Sequence, residues 1–386
     1  MHNIEKFDDI RVFFDSEVRS VLDGLVAENE FVDAIATMRF PGLSKVFKWP
    51  LRLLVRFKLK QMFAGIETVK AFQVLVKDGM DHLLQSTNSK VTVTGIEHLD
   101  PDKAYLFISN HRDIAMDPAY VNYALKDHGF ETVRIAIGDN LLSKKYISDL
   151  IRVNKSFVVK RSVSGRRAKL EALKTLSEYI RLSVLEDKSH VWIAQREGRA
   201  KDGKDKTETA LLKMLSLSRQ SQQNFAEAMS ALNIVPVSIS YQFDPCDQDK
   251  AQELYAVRTQ GSYQKKPHED LRSIYKGIAG YKGHIHLAFD YPISGGFEDD
   301  DELAALIDKC IIGNYFIHAT NVLAYEMQEG EDDYSRKLRA ALPDLNWFAV
   351  TQMFEDRLKD VDMECRTIML DAYANPVRAK KRMETV

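Results

Sequence analysis

Cysteine is scarce in this chain: its 386 residues include only Cys246, Cys310 and Cys365. These are odd in number, far apart, and lack the paired spacing of a zinc site. They neither staple a secreted fold nor hold a structural metal, so a reducing compartment is the default expectation. No run of about eighteen or more apolar residues occurs, which leaves no spanning helix of the usual kind. Neither sign of charge dominates. A net charge of -2 gives no global attraction to nucleic acid, so no nucleic-acid partner is expected and any basic site must be local. The opening Met-His-Asn-Ile-Glu-Lys-Phe-Asp-Asp is too acidic and too poor in apolar residues for a signal peptide. Internal repeats and low-complexity tracts are missing as well. Apolar residues make up 45% and charged residues 28%, the balance of a globular protein, which excludes disordered and collagen-like classes. The expected location is the cytoplasm.

The length fits one large domain with appendages, or two domains. Residues 4–29 and 50–85 carry helical periodicity without strand signals. From Lys90 the texture changes to short β-branched or aromatic runs: Val91–Thr94, Ala104–Ser109, Val133–Ile137, Ser156–Val159, His190–Ala194, Ile234–Ser240 and His284–Phe289. Segments with apolar spacing of three and four, such as Arg166–Leu185 and Glu208–Leu232, lie between most of them. This alternation predicts an α/β fold, with a sheet of about seven strands flanked by helices. Beyond Asp299 the pattern is helical again, with a turn at Leu342–Asn346. The expected organisation is a helical segment over 1–89, an α/β core over 90–295 and a helical segment over 296–386.

The stretch with most chemistry is Ser-Asn-His-Arg-Asp-Ile-Ala-Met-Asp-Pro, Ser109–Pro118. It places His111 where an apolar strand ends, followed by Asp113 and Asp117. A carboxylate that keeps one imidazole nitrogen protonated leaves the other free to take a proton, which makes a general base at neutral pH. A loop histidine, with Asp117 capping a helix before Pro118, would account for this stretch alone. A second strand, Val191–Ala194, runs into Gln195-Arg-Glu-Gly-Arg-Ala-Lys201 and delivers Glu197, Arg199 and Lys201 at its C-terminal end, where α/β sheets bind ligands. A further pair, Lys160-Arg161, follows the strand Ser156–Val159. Cations beside free backbone N–H groups suit a phosphate.

Three other patterns carry less. His111-Arg112-Asp113 matches the start of a kinase catalytic loop, but Pro118 stands where asparagine is required. Gly198…Gly203-Lys204 has the spacing of a phosphate-binding loop, but Asp205 replaces the Ser or Thr that would bind magnesium. His284 and His286 share one strand face without a third ligand at suitable spacing, so a polar strand face is expected there and no metal.

Ahead of the core, residues 34–66 contain seven basic residues, Arg39, Lys45, Lys48, Arg52, Arg56, Lys58 and Lys60, and no acidic one. Phe40, Phe47, Trp49, Phe57 and Phe63 are interleaved. Arg52, Arg56 and Lys60 recur every four residues and would form one basic stripe on a helix. The expectation is that residues 39–60 lie on an anionic membrane surface with this stripe against the headgroups. A core-packed helix whose cations reach solvent is the alternative.

Taken together, these segments resemble the glycerolipid acyltransferases, the family acylating glycerol-3-phosphate and 1-acylglycerol-3-phosphate. Its first motif, Asn-His followed by four residues and Asp, is similar to Asn110-His111…Asp117-Pro118. The second, an apolar strand ending in a basic residue, is similar to Phe157-Val-Val-Lys-Arg161. The third, Pro-Glu-Gly-Thr-Arg-Ser, is similar to Gln195-Arg-Glu-Gly-Arg199, and the fourth to Ile234-Val-Pro-Val-Ser-Ile-Ser240. Five residues, not four, separate His111 from Asp117, so the helix presenting the acid must be offset. The third motif lacks its Thr and has Ala200 in place of Ser.

The resemblance implies acyl transfer from a thioester, on coenzyme A or acyl carrier protein, to a hydroxyl of a glycerol-phosphate lipid in phospholipid biosynthesis; the alternatives are the same fold acting on glycerol-3-phosphate or another lipid acceptor, and a non-catalytic, membrane-docked lipid-binding protein. It implies His111 as base and Asp117 as its partner, with Lys160, Arg161, Arg199 and Lys201 at the acceptor phosphate. Gly198 would give close backbone approach, and Glu197 would anchor the loop or a glycerol hydroxyl. No metal or resident cofactor is implied, and the expected site of action is the inner face of the membrane.

Overall fold

The computed structural model describes residues 4–385 apart from 41, 143, 267 and 268. Seven strands stand at the seven predicted places: β1 (Lys90–Thr94), β2 (Leu106–Ser109), β3 (Arg134–Gly138), β4 (Ser156–Val159), β5 (Val191–Ala194), β6 (Ile234–Tyr241) and β7 (His284–Phe289). Helices separate them, and both ends of the chain are helical, so the fold is α/β as expected. β2 begins two residues later than its apolar run, and the Tyr105 amide ahead of it donates to His190 Nδ1 at 3.2 Å.

The chain forms two compact units, Met1–Met80 with Arg134–Tyr179, and Asp81–Val133 with Ile180–Val386. The first contains β3 and β4, paired in parallel with Gly138 opposite Val159. Its core joins Val18, Leu22 and Leu25 of the helix Asp15–Ala27 to Leu51, Val55 and Leu59 of the helix Lys48–Met62. The spacing of four puts those three side chains on one buried stripe. Arg52 and Arg56 flank that stripe and do not face outward as the sequence suggests. Arg52 binds Asp33 through Nε and Nη2 at 2.8 and 2.6 Å. Arg56 donates to the carbonyls of Val26 and Ala27 and to Asn29 Oδ1. These carbonyls end the helix Asp15–Ala27 and lack intrahelical partners, so a cation there is held by both hydrogen bonds and the helix dipole. The outward stripe is apolar instead: Trp49, Leu53 and Phe57 are 69%, 47% and 64% exposed.

The second unit carries the other five strands in the order β1-β7-β6-β2-β5. All are parallel to their neighbours except β6 with β7. Every residue of β2 and β6 is buried, as in a sheet covered on both faces. Ser109, at the end of β2, lies opposite Ala194 and Val237. The C-terminal ends of β2 and β5 therefore meet beside β6.

The predicted polar face of β7 gains a third imidazole. His284 Nε2 and His286 Nδ1 both bond Thr92 Oγ1, and His286 Nε2 bonds Thr94 Oγ1. His318, far off in sequence, stacks edge-on to His284 at 5.1 Å and reaches Ser240 Oγ. Threonine and serine hydroxyls thus occupy ring nitrogens that a metal would need. Burial pushes His286 down to about 4 and His318 well below its ordinary value. Both are neutral in the fold, while the unfolded chain takes protons near pH 6.5. Their contribution to stability is complete above about pH 6.5 and lost as the pH falls toward 4. Melting temperature followed across this window should fall steadily, and His286→Gln should flatten the fall.

Candidate active site

His111 leaves the end of β2 in a loop that runs to the helix Met116–Asp127. Its Nδ1 lies 2.7 Å from Asp117 Oδ2. Asp117 is fully buried in the first turn of that helix. Oδ2 also accepts from the backbone N–H groups of Arg112 and Asp113 at 2.6 and 2.9 Å, and Oδ1 accepts from the Tyr241 hydroxyl. Burial alone would push this carboxyl up. The bonds from His111, Tyr241 and the Asp113 amide outweigh it and hold the group below the usual carboxylate range. Asp117 is therefore ionised, and a hydrogen bond to it fixes the proton on His111 Nδ1. Nε2 is left without a hydrogen-bond partner among the described residues.

The sequence left open which aspartate pairs with His111, and the geometry selects Asp117. Asp113 turns the other way, accepting from the amides of Ala115 and Met116 at 3.1 and 3.0 Å. It caps the helix, and burial together with the Asp117 charge pushes its carboxyl up. The extra residue between His111 and Asp117 is taken up in this capped turn. Asp113 packs so closely on the helix Glu269–Ala279 that a Cβ on Gly277 would lie 2.2 Å from its Oδ2.

Asn110 serves the frame. Its amide exchanges two hydrogen bonds with the backbone of Ile239, at 2.9 and 2.8 Å, and so ties the end of β2 to β6. Trp192 meets the His111 ring edge-on at 5.7 Å and is itself fixed by Ser109 Oγ.

The loop after β5 is bound to the histidine segment. The Ala200 amide donates to the His111 carbonyl at 2.8 Å. Arg112 donates to Asp205 at 2.7 Å and to the carbonyls of Ala200 and Gly203. Asp205, which disqualifies this segment as a magnesium-binding loop, is thus the acid that Arg112 needs. Within the loop Glu197 and Gly198 are exposed, and Gly198 has φ +73°, a conformation glycine adopts without strain. Arg199 is half-buried, with no hydrogen-bond partner among the described residues; its charge helps hold the Asp244 carboxyl low, behind the closer Lys250. Lys201 is paired with Glu253.

The second unit therefore brings His111, Asp117, Glu197, Gly198, Arg199 and Lys201 onto one stretch of strand ends. Lys160 and Arg161 follow β4 in the first unit. There Lys160 binds Asp9 at 2.9 Å, and Arg161 is exposed, beside Gly138 and Asp139. Sequence reasoning missed Tyr241. Its one signal is parity, because on β6 it shares a face with Val237 and Ile239, four and two residues back.

A family model described as Acyltransferase matches residues 90–240. Among solved structures, the 1-acyl-sn-glycerophosphate (LPA) acyltransferase PlsC from Thermotoga maritima is similar at 16% identity and a TM-score of 0.37, over 74% of this chain and 95% of that one. No curated protein matches the chain. Over that matched span, which holds the four ordered segments and the His111–Asp117 pair, this chain is similar to the acyltransferase family.

Proposed function

We propose that the protein transfers a fatty acyl group from a thioester, on coenzyme A or acyl carrier protein, to a hydroxyl of a glycerol-phosphate lipid. The acceptor favoured by the paired cations is 1-acyl-sn-glycerol-3-phosphate, in phospholipid biosynthesis. The observation that carries this reading is the 2.7 Å bond from His111 Nδ1 to a buried, ionised Asp117. With Nδ1 committed, Nε2 takes the proton of the acceptor hydroxyl as its oxygen attacks the thioester carbonyl, and Asp117 stabilises the imidazolium. Collapse of the tetrahedral intermediate breaks the C–S bond and expels the thiolate, which recovers the proton from His111. Arg199 holds the acceptor phosphate, assisted by Lys201, while Lys160 and Arg161, which the resemblance assigns to the same phosphate, follow β4 in the first unit. Gly198 lets the turn approach the acceptor, and Glu197 orders the turn or a glycerol hydroxyl. Incubating purified protein with labelled acyl donors and a panel of lyso-acceptors tests this directly; transfer to glycerol-3-phosphate or a phosphate-free lipid alone would replace the acceptor proposed here.

Docking on the inner face of an anionic membrane is part of the same proposal, with the helix surface reassigned. No helix among the described residues is long and apolar enough to cross a membrane. The exposed stripe Trp49, Leu53 and Phe57, continued by Val46 and Phe47, suits insertion into the headgroup boundary. Exposed Lys58 and Lys60 beside it supply attraction to anionic lipid. Changing Trp49, Leu53 and Phe57 together to Ser should abolish most co-sedimentation with anionic vesicles. Gln at Arg52 and Arg56 should lower melting temperature and reduce co-sedimentation far less. The opposite ranking would restore the basic stripe as the contact.

A further inference from the structure

We propose that Tyr241 is a positioning residue of this site: by sharing Asp117 with His111, its hydroxyl sets how strongly the carboxylate holds the imidazole. The inference rests on the reading of His111 as the base. Tyr241 is the last residue of β6 and lies one position beyond the span matched by the family model. The two oxygens of Asp117 are unequally served. Oδ2 accepts from His111 and from two backbone amides, whereas the Tyr241 hydroxyl is the donor to Oδ1. Asp117 is fully buried and Tyr241 nearly so.

The other charged and titratable groups around Asp117 are committed elsewhere. Arg112 binds Asp205. Lys250 donates to the Arg112 carbonyl at 2.6 Å and to Asp244. Lys282 donates to the carbonyls of Gly277 and Gly280. Asp113 caps the helix, and its like charge opposes that of Asp117. Tyr120 lies with its ring 6.0 Å from that of Tyr241 and makes no hydrogen bond to Asp117. None of these can replace the missing donor. A hydrogen bond into Oδ1 draws charge away from Oδ2, so removing it makes the carboxylate a stronger acceptor for His111. The imidazolium is then stabilised, and the free base forms only at higher pH. The backbone amides still hold Asp117 in place, so the geometry survives.

The test is Tyr241→Phe in the full chain, with Tyr120→Phe as the control. His111 is titrated by NMR, and melting temperature and the pH profile of kcat/KM are measured beside it. The His111 midpoint in Tyr241→Phe should rise by about 0.5–1 pH unit, the equivalent of one hydrogen bond. The acid limb of kcat/KM should follow it, both KM values should hold, and Tyr120→Phe should move nothing. A His111 midpoint equal to wild type, or moved as far by Tyr120→Phe, would overturn the proposal, whatever the melting temperature does. A midpoint that rises in a protein without acyl-transfer activity would uphold the coupling and refute the catalytic reading of His111.

Discussion

Replacing His111 by alanine should lower kcat by about 10²–10⁴-fold, the range a positioned base contributes in the transition state. KM for either substrate should change little, because the imidazole acts on a proton and not on the bulk of a ligand. The fold should survive: among the described residues the side chain hydrogen-bonds Asp117 alone, and the loop stays tied by the His111 carbonyl and by Arg112. Asp117→Asn should fall on the order of 10²–10⁴-fold as well. Its amide nitrogen can no longer accept from the ring or the backbone, and the wrong tautomer of His111 is favoured. Asp113→Asn keeps a capping oxygen for the Ala115 and Met116 amides and should retain most activity. Single-turnover rates with circular dichroism on each variant check the series. A folded His111→Ala protein of near-normal rate would remove the mechanism, and Asp113→Asn as damaging as Asp117→Asn would mean that the wrong carboxylate was chosen.

How far the sequence reveals this arrangement depends on the range of the interaction. The strands are legible because each is a short apolar run between polar turns, and Ser156–Val159 and His284–Phe289 are found to the residue. The pairing of His111 with an aspartate is legible because six positions of chain, a strand end and a helix start, bring them together. Choosing Asp117 over Asp113 needs the Tyr241 hydroxyl and two backbone amides, and Tyr241 is 124 residues away. The tie between Arg112 and Asp205 crosses 93 residues and leaves no periodic trace. The helix Lys48–Met62 fails for a related reason. Its cations are visible in the sequence, but their partners, Asp33 and the carbonyls of Val26 and Ala27, decide which way they point. Periodicity identifies stripes on a helix; which stripe faces water is fixed by what the neighbouring helix offers.

Arg199→Met should raise the acceptor's KM by about 10- to 100-fold while leaving the donor's KM nearly unchanged. A hydrogen bond to a charged group contributes about 1.5–3 kcal/mol, which sets that range, and the arginine fork presents such a bond to the phosphate. Among the cations assigned to the acceptor, Arg199 is the strongest candidate for this role. Lys160 and Lys201 already hold Asp9 and Glu253, whereas the half-buried Arg199 guanidinium has no hydrogen-bond partner among the described residues. Having no ion pair to lose, Arg199→Met should also keep its melting temperature. Arg199→Lys should recover only part of the affinity, because an ammonium keeps the charge and loses the planar fork. Lys201→Met also frees the half-buried Glu253 carboxylate, so it should lower the melting temperature and raise the acceptor's KM by less than Arg199→Met. Steady-state kinetics in both substrates, with thermal denaturation of each variant, separates the two patterns. An Arg199→Met protein with an unchanged ratio of the two KM values would assign the phosphate to other residues.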